Sequence, residues 1–197
     1  MTCATCGTSS PAVMGVLTVN QVGVQAIHVG RHDWSGEYEC VAHPLGVVAL
    51  PQFDVSPAAG PDIRQLSDVL HGCGFATLVV DLQASEDQID IARLSQRLVD
   101  VLGWLHDRHA GMEVGVFGTR FVASAALRAV AERPGIAAAV VSRSASPELL
   151  GAHLVRVQAP TLLIVGDEDA PQLQYHRAAL RELTCAKRLE VVPGAGL

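Results

Sequence analysis

From residue 45 onward the chain alternates two hydrophobic patterns. Short unbroken apolar runs occur at 45–50 (LGVVAL), 75–80 (FATLVV), 114–117 (VGVF), 136–141 (IAAAVV) and 161–165 (TLLIV), with a last one at 189–192. Runs of this length, bounded by Gly, Pro or Asp, are how strands buried on both faces of a parallel sheet read. Between them lie stretches with helical spacing. Residues 62–72 carry Ile63, Leu66, Val69 and Leu70 on one face, ahead of Gly72 and Gly74. Residues 86–108 place Ile89, Ile91, Leu94, Leu98, Val101, Leu102 and Leu105 on one stripe. An Ala-rich helix is predicted through 131, another over 172–183, and at most one helical turn in the loop 142–153. Residues 51–61 read as a loop, with Pro51 ending the first buried strand. This alternation predicts an α/β domain whose mostly parallel sheet has helices on both faces, a three-layer sandwich.

Ahead of it, 13–19, 22–29 and 38–42 read as antiparallel strands at a sheet edge, the last following a Ser35-Gly36 turn. Residues 1–11 read as a flexible leader before a single domain, 12–197. Hydrophobic residues make up 49% and charged residues 17% of the 197, enough for a substantial core, and the net charge of -6 disfavours nucleic acid and anionic membranes as partners. No signal peptide or membrane-spanning stretch is predicted. Five cysteines without framework spacing fit a reducing cytoplasm. Cys3 and Cys6 form a lone Cys-x-x-Cys, with no further ligand pair at zinc spacing nearby. His28, His32 and His43 read as surface or strand-edge residues, so neither metal nor cofactor is expected.

Functional groups in such sheets collect beyond the carboxyl ends of the strands, here the loops 51–54, 81–87, 118–122, 142–146 and 166–171. One of them stands out. A strand that turns at Gly118 directly into a helix has the framework of the nucleophile elbow, Gly-x-Ser-x-Gly. The five positions are Gly118, Thr119, Arg120, Phe121 and Val122, with Arg120 in the middle and Val122 replacing the second glycine. A guanidinium is permanently protonated and cannot attack a carbonyl.

From about Gly46 onward the chain resembles the dienelactone hydrolase-like branch of the α/β-hydrolases, in its actinobacterial form. The segments GFATLVVDL, VGVFGTRFVASAAL, AAAVVSR, APTLLIVGDEDAP and KRLEVVPGAG carry the resemblance. It implies a Ser or Cys nucleophile, an Asp and a His. Arg120 stands at the nucleophile position and Asp169 at the acid position. The His is expected after Pro193-Gly194-Ala195-Gly196, where Leu197 stands. The oxyanion loop, usually His-Gly, reads Pro51-Gln52-Phe53-Asp54; Gln52, Thr119 and the backbone N–H of Phe121 remain cleft candidates.

The resemblance therefore implies a hydrolase fold that has lost ester or lactone hydrolysis and serves as a binding or partner subunit. Arg120 either pairs with Asp169 or a neighbouring acid, or receives a small anionic ligand. In the family a final helix covers one sheet face. Its absence from this chain predicts bare apolar surface and a homodimer or protein partner over it. Two other functions compete: an unconventional serine-type esterase or lactonase, and a metal or redox module through Cys3 and Cys6. The decoys are His71-Gly72-Cys73-Gly74, which reads as a helix end, Ser124, one turn into its helix, and Cys73 and Cys185, which read as small structural residues.

Overall fold

The computed structural model describes residues 23–29, 34–53, 60–82 and 90–196. The expected leader, Cys3, Cys6 and the 13–19 strand lie outside these. The elements run β1 (Gly23–Val29), β2 (Trp34–Cys40), β3 (Val47–Gln52), α1 (Gly60–Gly72), β4 (Ala76–Asp81), α2 (Ile91–Arg108), β5 (Val114–Thr119), α3 (Arg120–Glu132), β6 (Ala139–Arg143), two 3-10 segments (Pro147–Leu149 and Gly151–Arg156), β7 (Thr161–Gly166), α4 (Ala170–Glu182) and β8 (Lys187–Val192). They form one eight-stranded sheet in the order β1-β2-β4-β3-β5-β6-β7-β8. β1 and β2 are antiparallel at one edge, and all pairs from β3 to β8 are parallel.

Register assigns the two faces. Val47, Ala49, Leu78, Val114, Val116, Val140 and Leu163 share the face that packs on α2, α3 and α4, and together they form the main core. Val48, Thr77, Gly115 and Phe117 point the other way. α1 lies on that second face, because its His71 Nε2 meets Thr77 Oγ1 at 2.8 Å and its Nδ1 lies 3.6 Å from Glu39 of β2. No helix among the described residues is long and apolar enough to cross a membrane.

Several element ends differ from the sequence reading. Pro51 continues β3 instead of ending it. β3 pairs with β5 only through Ala49 while its pairing with β4 runs on to Gln52, so the missing Pro51 N–H interrupts no ladder. Ser35-Gly36 is not a turn but part of β2. A Cβ on Gly36 would lie 3.0 Å from the Val79 carbonyl oxygen, so close strand packing calls for the glycine. Helix α2 starts at Ile91, not near 86, because the Asp90 side chain accepts hydrogen bonds from the N–H groups of Ala92 (2.8 Å) and Arg93 (3.3 Å) and caps it there. The loop expected at 142–153 winds into the two 3-10 segments.

Candidate functional site

β5 runs into α3 with no intervening loop: Thr119 is the last strand residue and Arg120 the first helical one. The bend is made at Arg120, whose φ is 54°, a left-handed conformation that non-glycine residues rarely hold and that costs on the order of 1–3 kcal/mol. Gly118 makes the bend possible. A Cβ there would sit 2.8 Å from both the Cα and the N of Ala123, so the returning helix lies directly on the strand. The Arg120 side chain is exposed, Thr119 is half-buried, and Phe121 packs against the core. The N–H groups of the first helical turn have no partner within the helix and open towards the same rim.

Parallel pairing brings the ends of β3, β6 and β7 to this rim. Gln52, at the end of β3, turns its side-chain amide back onto its own strand, donating to the Pro51 carbonyl (2.9 Å) and more weakly to that of Leu50 (3.4 Å). Arg143 pairs in register with Thr119, and the next residue, Ser144, also has a positive φ of 51°. Asp169 caps α4: its Oδ1 accepts the Gln172 N–H at 3.1 Å. Among the described residues no ion pair joins Arg120 to Asp169 or to any other acid, so the expected Arg120–Asp169 pair is not formed. The carboxylate serves the helix start, where an N-cap contributes about 1 kcal/mol.

The loops after β7 and β8 are locked together beside Asp169. The Asp167 carboxylate accepts the Gly194 N–H at 2.8 Å, and Glu168 N–H donates to the Ala195 carbonyl at 3.1 Å. A Cβ on Gly166 would fall 1.9 Å from that same carbonyl oxygen, so only glycine lets the two loops meet.

No protein-family model matches the chain. Among solved structures it is similar to a dienelactone hydrolase from Anabaena variabilis, with 34% identity, a TM-score of 0.80, and 89% of this chain and 87% of that one covered. The chain belongs to the dienelactone hydrolase family. An α/β serine hydrolase without lid from Xanthomonas campestris shares the fold at 17% identity and a TM-score of 0.67, over 88% of this chain and 84% of that one. A Mycobacterium tuberculosis protein carrying the provisional name phosphoribosyl transferase, found in two strains, is 40% identical over 160 residues. That match covers 77% of this chain but 36% of the relative, so the chain spans about a third of the length of the curated relatives it matches.

Within this dienelactone hydrolase-type fold the decoy residues have structural roles. Ser124 is fully buried; its hydroxyl donates to the Arg120 carbonyl (3.4 Å) and accepts the Ser146 N–H (2.9 Å), tying α3 to the loop after β6. Residues 71–74 end α1, with Gly74 at φ 85° and its N–H on the His71 carbonyl. Cys73 precedes β4 and Cys185 precedes β8, both at the amino ends of the strands and far from the rim. Among the described residues no group of three or more His, Cys, Asp or Glu is placed to hold a metal ion. A groove of about 550 Å³, lined in part by Trp104, Asp107 and Arg133, also lies at the amino ends of the strands.

Two buried histidines were not foreseen. His176, on α4, has no exposed surface; its Nδ1–H donates to the Gln172 carbonyl at 2.8 Å, leaving Nε2 an unpartnered acceptor. Burial pushes its pKa down, against smaller upward effects of the Gln172 carbonyl, Glu148 and Asp169. It is enclosed in the core and cannot serve the rim as a base. His109 stacks on Tyr38 at 5.1 Å with neither ring nitrogen hydrogen-bonded; burial, and then the charge of Arg108, lower its pKa. Burial, with a smaller effect of Cys40, raises that of Tyr38. Neither histidine follows a motif, and only the packed structure locates them.

Proposed function

We propose that this member of the dienelactone hydrolase family no longer hydrolyses esters or lactones and works as a binding or partner module. One observation carries the reading: Arg120 makes the positive-φ bend between β5 and α3, where a nucleophile elbow holds its attacking side chain. An arginine there cannot form an acyl intermediate, and loss of a single triad member costs several orders of magnitude in rate. Three further observations support it. Asp169 caps a helix, Gln52 is turned onto its own strand, and Ser124 is consumed by two hydrogen bonds. In the mycobacterial relatives the matching stretch is part of a longer protein, which suits a module that acts beside another activity. The name phosphoribosyl transferase is not carried over, because the match leaves most of those proteins uncovered.

The test is turnover of p-nitrophenyl acetate and of a dienelactone by the purified chain. The expected rate equals that of buffer. Turnover that Asp169→Asn or Ser124→Ala abolishes would overturn the reading. What the rim offers a ligand is the Arg120 guanidinium beside the first-turn N–H groups of α3, suited to a small carboxylate or phosphate. Titration calorimetry with inorganic phosphate, on the native chain and on Arg120→Ala, checks this; equal heats would remove the anion from the proposal.

A further inference from the structure

At the amino ends of the strands, opposite the rim, the groove of about 550 Å³ runs between helix α2 and the turn that joins α3 to β6. Val99, Trp104 and Ile136 supply its apolar lining. Its two walls are tied together. The His106 Nε2–H, from α2, donates to the Ile136 carbonyl at 2.9 Å, so the width of the groove is set before anything enters it. Gly103 lies inside α2 and lines the groove. A glycine in a helix interior weakens the helix. No packing calls for it here, because an added Cβ would meet nothing within 4 Å. What a side chain at 103 would take up is groove volume.

We infer that this groove binds a small zwitterion, one ammonium and one carboxylate beside an apolar group, as in an amino acid or a short peptide. The charges of the lining identify the class. Asp107 stands on the α2 wall and Arg133 on the other; both are exposed, and among the described residues no ion pair joins either to another group. The other charges close by are engaged. Asp100 has an interaction of its own, Arg108 lies over the Trp104 ring at 4.8 Å, and Glu132 is paired with Arg128 at 2.6 Å. One acid and one base are left to meet a ligand. A simple anion or cation is repelled by one of them as it is drawn to the other. A zwitterion offers its ammonium to Asp107 and its carboxylate to the guanidinium fork of Arg133. Its apolar group then lies along Trp104, in the space that Gly103 keeps open. Because both charges are solvated, the expected affinity is weak, in the millimolar to submillimolar range.

Titration calorimetry of the full chain with L-phenylalanine and with the dipeptide alanyl-phenylalanine tests the inference. The expected result is saturable binding of at least one of them, and the tighter of the two tells a free amino acid from a peptide. N-acetylphenylalanine, which lacks the ammonium, and phenylalaninamide, which lacks the carboxylate, each bind about tenfold more weakly. Asp107→Asn weakens phenylalanine but not the N-acetyl compound, and Arg133→Gln weakens phenylalanine but not the amide. Gly103→Leu fills the groove and abolishes binding; leucine is the better helix former, and circular dichroism confirms that the variant is folded. No saturable binding of either probe overturns the inference. So does binding that is indifferent to Gly103→Leu, or to the loss of either charge from the probe. The inference does not depend on the loss of hydrolysis: ester turnover would remove the proposed function and leave the groove's ligand standing.

Discussion

The two faces of the central sheet are made by the same strands, one residue apart, and they have opposite fates. Val116 is 2% exposed and Leu163 fully buried beneath α2, α3 and α4, while their neighbours Phe117, Leu162 and Ile164 are only partly buried. Hydrophobicity does not separate the two sets, since both are apolar, as expected for parallel strands. What separates them is which side the helices take. α2, α3 and α4 lie over one side, and α1 meets β4 and β2 on the other. A fully buried apolar side chain contributes roughly 1.5–3 kcal/mol, so the face under α2, α3 and α4 carries the larger share of the sheet's contribution to stability.

The sharpest way to break this contrast is to truncate adjacent residues of β7. Leu163→Ala, on the covered face, is expected to cost about 2–5 kcal/mol. Leu162→Ala, one residue away, should stay within about 1 kcal/mol when unfolding is followed in urea. Equal costs would mean that the second face is as covered as the first.

Ser124 ties the covered face to the rim. It lies in the core layer, yet its hydroxyl links the α3 backbone to the N–H of Ser146. Ser124→Ala leaves that partly buried N–H without its partner and is expected to cost about 1–2 kcal/mol. Its effect on ester turnover should be nil, because no turnover is expected. A stability loss without a change in rate separates a structural hydroxyl from a substitute nucleophile.

The covered face also makes stability depend on pH. His109 and His176 have folded-state pKa values pushed down by burial, so the folded chain binds fewer protons than the unfolded one across the range below the ordinary imidazole value near 6.5. Their contribution is complete above that value and is lost progressively as pH falls below it. Urea midpoints measured from pH 7.5 down to 5 should decline. His109→Phe keeps a ring on Tyr38 while removing both unpaired nitrogens, and it should flatten part of the decline. An unchanged slope would mean that His109 is hydrated and ordinary.

The fold was largely legible because each strand of the parallel core is an apolar run between breakers, and each helix shows its stripe. Strand ends were less legible where a residue's usual meaning was overridden by its neighbours. Pro51 continues a strand because its partner on one side has already stopped, and Gly36 sits in a strand because Val79 lies against it. The rim was legible for a different reason: parallel topology gathers the strand ends, so the positions of Gln52, Arg120 and Asp169 followed from order alone. What those side chains do was not legible. The cap made by Asp169, the back-turned Gln52 amide and the unpaired nitrogens of His109 depend on distances that no local pattern encodes.

The smallest expected effect bears on the elbow, where covered face and rim meet. Arg120 holds φ at 54° without glycine's freedom, while Gly118, two residues earlier, is needed only because Ala123 lies against it. Arg120→Gly removes the left-handed penalty but also loosens the unfolded chain, and it lengthens no contact in the core, because the Arg120 side chain is exposed. The net result is expected to be a stabilisation of up to about 1 kcal/mol. Arg120→Ala keeps a Cβ at the same φ and should gain nothing, so the difference between the two variants isolates the backbone from the guanidinium. If glycine destabilises instead, Arg120 is held by contacts of its own, and the bend owes its shape to the side chain rather than to the packing of α3 on β5.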